Sequence, residues 1–205
     1  MPFIYKKNAL FFSGFLFFVS LSILLLLFYS KSESFLLLNS YHTQSLTYFF
    51  ISVTYLGDGL FVIIVGLVLF FLRRRLAGVL IIASYLLSGG IVQLIKYFVI
   101  EPRPGIFFKD SGYPYFIDNV TLHSMHAFPS GHTASAFALA TILSLWVKNK
   151  WWSLVFLVLA ILAGYSRIYL AQHFLQDVLA GAVIGVTFAI ISYLLAERIN
   201  ENFIL

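Results

Sequence analysis

The sequence predicts an all-α polytopic membrane protein with six transmembrane helices. Of its 205 residues, 61% are apolar and only 10% charged, and the mean hydropathy is +0.96. The few charges fall between long apolar runs instead of being spread among them. A soluble domain of this size carries about a quarter charged residues, so this chain has too little charge to cover its own surface in water. The formal charge of +5 and a pI of about 9.4 would point to nucleic acid in a soluble protein. In a membrane protein they read instead as topology. The absence of cysteine excludes disulfides, thiolate nucleophiles, Cys-ligated zinc and iron–sulfur clusters.

A span needs about 20 mostly apolar residues. The first run is Ala9–Tyr29, uncharged behind Lys6 and Lys7. It exceeds the usual signal-peptide core of about 7–15 residues and no small-x-small site follows it, so it reads as a retained anchor. The second span lies within Leu46–Leu72 and contains Gly57-Asp58-Gly59. A carboxylate in mid-bilayer is expensive, whereas Asp favours a helix N-terminus, so the helix proper is expected to begin near Asp58. Phe35–Tyr55 is then partly an amphipathic interfacial segment. The third span is about Leu76–Ile100, the fourth Thr133–Val147, the fifth Trp151–Gly164 or a little beyond, and the sixth Phe174–Ala196. Between the third and fourth lies the one long polar stretch, Glu101 to Gly131, and long loops in compact chains are more often functional than idle. With no internal repeat and no low-complexity tail, residues 1–205 read as a single domain.

Six spans put both termini on one side, and the charges agree. The terminus side holds eight basic residues (Lys6, Lys7, Arg73, Arg74, Arg75, Lys148, Lys150, Arg198) against Glu197 and Glu201, a net of +6. The opposite side holds Lys31, Lys96, Arg103, Lys109 and Arg167 against six acidic residues, a net of −1. By the positive-inside rule the termini are cytoplasmic and the long loop faces out.

The polar residues left at the outer ends of spans are few and distinctive. Singly, each has an ordinary reading. Lys96 is a snorkelling anchor; Arg103, stiffened between Pro102 and Pro104, is a loop residue; Ser130 is a cap; His173 and Asp177, four apart, are a helix-end ion pair. Pro129-Ser130-Gly131-His132 precedes an apolar helix, whose entrance offers free N–H groups and the positive end of its dipole to an anion. Together the outer ends gather three cations, two histidines, a carboxylate and a helix N-terminus. Three cations so placed repel one another unless an anion sits among them. Phosphate fits, because its charge spreads over several oxygens that accept many donors at once.

Lys96-x6-Arg103-Pro104, Pro129-Ser130-Gly131-His132 and Ser166-Arg167-x5-His173-x3-Asp177 together resemble the three-part motif of the type 2 phosphatidic acid phosphatase superfamily. These lipid phosphate phosphatases share a core with vanadium haloperoxidases. All motif positions are present, in order, across a motif-bearing core of residues 96–177. The resemblance implies that His173 is the nucleophile forming a phosphohistidine, that Asp177 orients it and stabilises its charge, and that His132 protonates the leaving oxygen and later helps activate water. It implies that Lys96, Arg103, Arg167, the Ser130 hydroxyl and the Gly131 N–H bind the phosphoryl oxygens. Such a division of labour suits the chemistry. Phosphate monoester hydrolysis must lose roughly 20 kcal/mol or more of barrier, and one preorganised donor supplies about 3–4 kcal/mol.

No metal or other cofactor is expected, since the cations neutralise the phosphoryl charge. A zinc site of His132, His173 and Asp177 is the competing geometry, opposed by those cations. The expected partners are the bilayer and a membrane lipid phosphate, with no nucleic acid and no obligatory protein partner. Candidate substrates are undecaprenyl diphosphate, phosphatidylglycerol phosphate, phosphatidic acid and the phosphates of lipid A, reached from the leaflet at the periplasmic or outer face of a bacterial inner membrane. The rival readings are a non-catalytic lipid-phosphate carrier or sensor, an anion transporter or channel, and a vanadate-dependent haloperoxidase. In the long loop, Phe107, Phe108, Tyr113, Tyr115 and Phe116 read as interfacial anchors or as a lid, and His123 and His126 as solvent-facing or as tuning head-group choice. Asp58 reads as a cap or as a contact to the substrate or to the cations.

Overall fold

The computed structural model describes residues 2–117 and 125–202, and every regular element among them is helical. In order these are α1 (Pro2–Lys7), α2 (Ala9–Phe28), α3 (Lys31–Leu38), α4 (Gln44–Val53), a 3₁₀ turn (Thr54–Gly57), α5 (Gly59–Phe71), α6 (Arg75–Phe98), α7 (Pro104–Phe107), α8 (Gly131–Trp146), α9 (Trp151–Tyr169) and α10 (Leu175–Asn202). His123 lies outside the described residues.

Four of these helices are long and apolar enough to cross a membrane: Ala9–Phe28, Arg75–Phe98, Trp151–Tyr169 and Leu175–Arg198. A fifth candidate is the pair Gln44–Gly57 and Gly59–Phe71, bent by 57°. The bend falls where the Gly57-Asp58-Gly59 run placed it. Asp58 is the N-cap of α5, its carboxylate accepting from the Leu60 N–H at 2.8 Å, which satisfies one of the orphan donors of a new helix. The segment expected to lie partly at the interface is helical in two pieces, α3 and α4. The expected fourth span is α8, which at 16 residues is shorter than the rest.

α8 is short because it is the axis of the bundle. It is buried without a break from Thr133 to Ile142 and is packed by α6, α9 and α10. Small residues let its neighbours come close. A Cβ added at Gly181 of α10 would collide with the Ser130 carbonyl, and one at Gly185 with the Ala134 carbonyl. On its other side Phe137 stacks on Phe18 of α2 at 5.5 Å and meets Phe15 at 5.7 Å. α2 turns the rest of its surface outward, with Phe17 71% and Leu27 76% exposed, as hydrocarbon-facing residues should be.

The two ends of the bundle differ as the charges predict. Lys7 pairs with Glu197 at 3.5 Å, while Asn8 donates to the Ser144 carbonyl at 2.7 Å and accepts from Ser153 at 3.0 Å. The N-terminus, the end of α10 and the turn carrying Lys148 and Lys150 therefore meet at one end. At the other, Lys31 pairs with Glu101, which also accepts from Gln176 at 3.2 Å. Several loop aromatics expected as interfacial anchors are structural here. Phe108 is buried, stacked on Phe35 at 5.1 Å, and Phe35 meets Phe174 edge-on at 5.4 Å. Tyr115 stacks on His42, which stacks in turn on Tyr169.

Candidate active site

At the end opposite the termini, a cavity of about 280 Å³ opens between α5, α6, α8 and α9. Six of the eight residues singled out in the sequence line it: Lys96, Arg103, Gly131, His132, Arg167 and His173. The remaining two, Ser130 and Asp177, sit directly behind that wall and are fully buried.

Each side chain is placed by a local device. Lys96 is in the last turn of α6, where its Nζ donates to the His126 carbonyl at 2.7 Å; the His126 ring in turn lies 2.8 Å from the Lys96 carbonyl. His126 is solvent-exposed, as one of its two sequence readings has it, while its carbonyl and ring are both tied to Lys96. Arg103 precedes Pro104 at the first position of α7, and its guanidinium donates to the Met125 carbonyl at 3.2 Å and to the Gln172 side chain at 3.4 Å. Arg167, near the end of α9, is 8% exposed and donates to Thr54 Oγ1 at 2.8 Å; its Nε has no protein partner. A buried cation with unspent donors beside a cavity is organised to meet an anion there.

Ser130 caps α8, accepting from the Thr133 N–H at 3.4 Å and the Thr133 hydroxyl at 2.9 Å. Its own N–H donates to the Asp177 carbonyl at 2.9 Å. That bond clamps the N-terminus of α8 to the first turn of α10, and the close approach at Gly181 is what permits it. The first N–H groups of α8, at Gly131 and His132, are left at the cavity wall, where a helix N-terminus favours negative charge.

His173 sits in the turn between α9 and α10, its own N–H bonded to the Arg167 carbonyl at 3.1 Å. Its Nδ1 lies 3.3 Å from Asp177 Oδ2, and that oxygen also accepts from the Phe174 N–H at 2.9 Å. With Nδ1 turned to the carboxylate, Nε2 is the nitrogen left for the cavity. Burial first, and then the charges of Arg103, Arg167, Lys96 and His132, hold the His173 imidazole well below its ordinary range. The ring is therefore neutral at neutral pH, with a lone pair available. Among the described residues no group of three His, Asp or Glu side chains converges to hold a metal ion.

Several lining residues lay outside the motifs: Gly57, Gly59, Tyr85, Gly89, Gln93 and Ser135. Two of these were legible by helical spacing, since Gln93 is three residues before Lys96 and Ser135 three after His132. The others arrive from the bent second span and the facing side of α6, and only the fold brings them in.

Fold and cavity together define an all-helical membrane protein with a cavity that gathers Lys96, Arg103 and Arg167 around a carboxylate-held histidine. The PAP2 superfamily model matches residues 77–201, and the chain belongs to that family. Its crystal-structure neighbours include Aquifex aeolicus LpxE, at 33% identity and a TM-score of 0.66 over 78% of this chain and 92% of that one. A second is the PAP2-type phosphatidylglycerolphosphate phosphatase of Bacillus subtilis, at 25% identity and a TM-score of 0.60 over 95% of this chain and 98% of that one. Among curated relatives, the lipid A 1-phosphatase of Porphyromonas gingivalis is 32% identical over 57% of this chain and 23% of its own length. The undecaprenyl-diphosphatase of Sulfolobus acidocaldarius is 27% identical over 60% of this chain and 56% of its own. The chain thus spans between about a quarter and just over half of these two curated relatives.

Proposed function

We propose that this protein is a metal-independent phosphatase that hydrolyses a phosphomonoester or diphosphate of a membrane lipid through a phosphohistidine intermediate. The observation that carries this reading is the neutral His173, held by Asp177 on a cavity that also receives Lys96, Arg103, Arg167 and the first N–H groups of α8. Binding alone has no use for a nucleophile with its own orienting carboxylate.

In the first step His173 Nε2 attacks phosphorus, the P–O bond to the lipid breaks, and His132 gives its proton to the departing oxygen. Asp177 stabilises the charge that develops on the His173 ring. In the second, His132 takes a proton from water, whose oxygen displaces His173 and releases phosphate. Lys96, Arg103, Arg167 and the Gly131 N–H hold the phosphoryl oxygens throughout. The Ser130 hydroxyl, already accepting from Thr133, has one hydrogen left to donate.

The protein crosses the bilayer six times in this reading, with α8 as the short fourth span enclosed by the others. The termini are cytoplasmic, by the +6 charge of their side, and the cavity opens at the periplasmic or outer face. The substrate is a lipid whose phosphate reaches the cavity while its chains stay in the leaflet. Undecaprenyl diphosphate, phosphatidylglycerol phosphate, phosphatidic acid and lipid A phosphate are the candidates.

Phosphate release from these four lipids in detergent micelles tests the reading. At least one should be cleaved by the wild type and none by His173→Ala. Wild-type turnover by that variant would overturn the mechanism. Equal cleavage of soluble short-chain phosphates would overturn the lipid assignment.

A further inference from the structure

The long loop returns to the site just before α8, and there its backbone meets both cations of the first motif block. The Lys96 Nζ donates to the His126 carbonyl at 2.7 Å, and the Arg103 Nε donates to the carbonyl one residue earlier, at Met125, at 3.2 Å. The Ala127 N–H, one residue later, donates to the Glu101 carbonyl at 3.1 Å. Three consecutive loop residues are thus tied to the stretch that runs from the last turn of α6 to the start of α7. Two of those ties end on side chains that line the cavity.

His126 makes the turn that allows this. Its φ is 59°, in the left-handed region that few residues other than Gly, Asn, Asp and His enter. In that conformation its carbonyl and its ring both meet Lys96. The ring Nδ1 lies 2.8 Å from the Lys96 carbonyl; a carbonyl only accepts, so Nδ1 is the donor. Lys96 is in the last turn of α6, where helix carbonyls lack a donor from a following turn, and the ring supplies one. The two residues therefore bond reciprocally, side chain to backbone in each direction. A lysine at a span end ordinarily extends its four-carbon stem towards water and keeps many rotamers. Here the ammonium is held at the cavity wall instead.

We propose that His126 is a positioning residue for Lys96: its ring and carbonyl fix the ammonium at the cavity before a phosphate arrives. The proposal rests on the phosphatase reading above and gives the long loop a part in it, that of aiming the cations. A donor already held in place loses less freedom when its ligand binds, so the gain appears as affinity for the phosphoryl group. Because Lys96 holds the phosphoryl oxygens in ground state and transition state alike, the effect falls on KM more than on kcat.

Two substitutions separate the ring from the turn. His126→Gly keeps the left-handed backbone and removes the ring, whereas His126→Asn also tolerates that backbone and returns an N–H donor close to the position of Nδ1. The probes are whichever of the four lipid phosphates the wild type cleaves, and inorganic phosphate, whose binding is read from the rise it causes in the unfolding midpoint in detergent. Loss of one neutral, exposed hydrogen bond corresponds to about a three- to tenfold change in affinity. His126→Gly should therefore raise KM on the lipid and Kd for phosphate by about that factor, with kcat changed by less than about twofold. His126→Asn should bring both back to within about twofold of wild type. In a Lys96→Ala background His126→Gly should raise Kd for phosphate by less than it does alone. Unchanged KM and Kd in His126→Gly, a fall in kcat as large as the rise in KM, no rescue by Asn, or the same cost in both backgrounds would each overturn the proposal. A wild type that binds phosphate but cleaves none of the lipids would overturn the phosphatase reading alone, and the Kd values would still decide for or against His126. A wild type that does neither would overturn both.

Discussion

His173 is buried among three cations, and its neutral state has a consequence for pH. The folded imidazole titrates below its ordinary value of 6.5, lowered first by burial and then by Arg103, Arg167 and Lys96. Below about 6.5 the unfolded chain takes up a proton that folded His173 refuses, so this group's contribution to stability is present above that pH and lost as the pH falls through and below it. The unfolding midpoint in detergent should therefore drop as the pH is lowered from about 7 to about 5, and His173→Gln should blunt the drop. An identical pH dependence in the variant would show that His173 does not titrate this way. The Arg167–Thr54 bond makes a second prediction. Thr54→Val removes the acceptor without changing shape, leaving a buried guanidinium less well held. A neutral-to-charged hydrogen bond of this kind corresponds to about a ten- to hundredfold rise in KM, with kcat moved less; unchanged KM would mean that Arg167 finds its place without Thr54. The motif residues themselves were legible in the sequence, because the proposed chemistry restricts residue type at each of them. Ser130 shows the limit: the sequence offered it both as a cap and as a phosphate ligand, and the structure shows its hydroxyl engaged as the cap of α8.

Among the helices, the contact between α8 and α10 carries the site. Gly181 and Gly185 let α10 lie against the α8 backbone, so that the Ser130 N–H reaches the Asp177 carbonyl. A Cβ at Gly185 would collide with the Ala134 carbonyl and sit 3.0 Å from the Ala138 nitrogen. Backbone cannot move aside as a flexible side chain can. Gly185→Val should therefore destabilise the protein by about 1–3 kcal/mol or more, and cost activity even where the fold survives, by prising Asp177 from Ser130. Gly90 in α6 has nothing within 4 Å of an added Cβ, and Gly90→Ala should be neutral or stabilising by about 0.5–1 kcal/mol. Thermal unfolding of the two variants in the same detergent checks the contrast, and equal effects would mean that the α8–α10 approach does not govern stability. Glycine looks alike at both positions in the sequence. Which one is a close approach depends on a neighbour in space.

Across the whole molecule, the charge split predicts an orientation that labelling can read directly. The native chain has no cysteine, so single-cysteine variants report on one site each. Asp110→Cys, exposed beyond α7, should react with a membrane-impermeant maleimide added to intact cells, and Lys148→Cys in the α8–α9 turn should react only after lysis. The reverse pattern would invert the orientation proposed here. Hydropathy and charge determined by themselves that the chain is an α-helical membrane protein, that its basic residues collect at the terminus end and that the three motif blocks lie at the other. Those signals are one-dimensional: an apolar run must be buried in lipid or protein wherever the chain goes, and a motif keeps its spacing along a helix or turn. Only the tertiary structure decided that α8 is an enclosed axis, that Phe108 and Tyr115 are packing residues, and that Gly57 packs against the His132 backbone. Such facts depend on which surfaces face each other across about a hundred residues of chain, as Thr54 and Arg167 do, and sequence spacing carries no record of that.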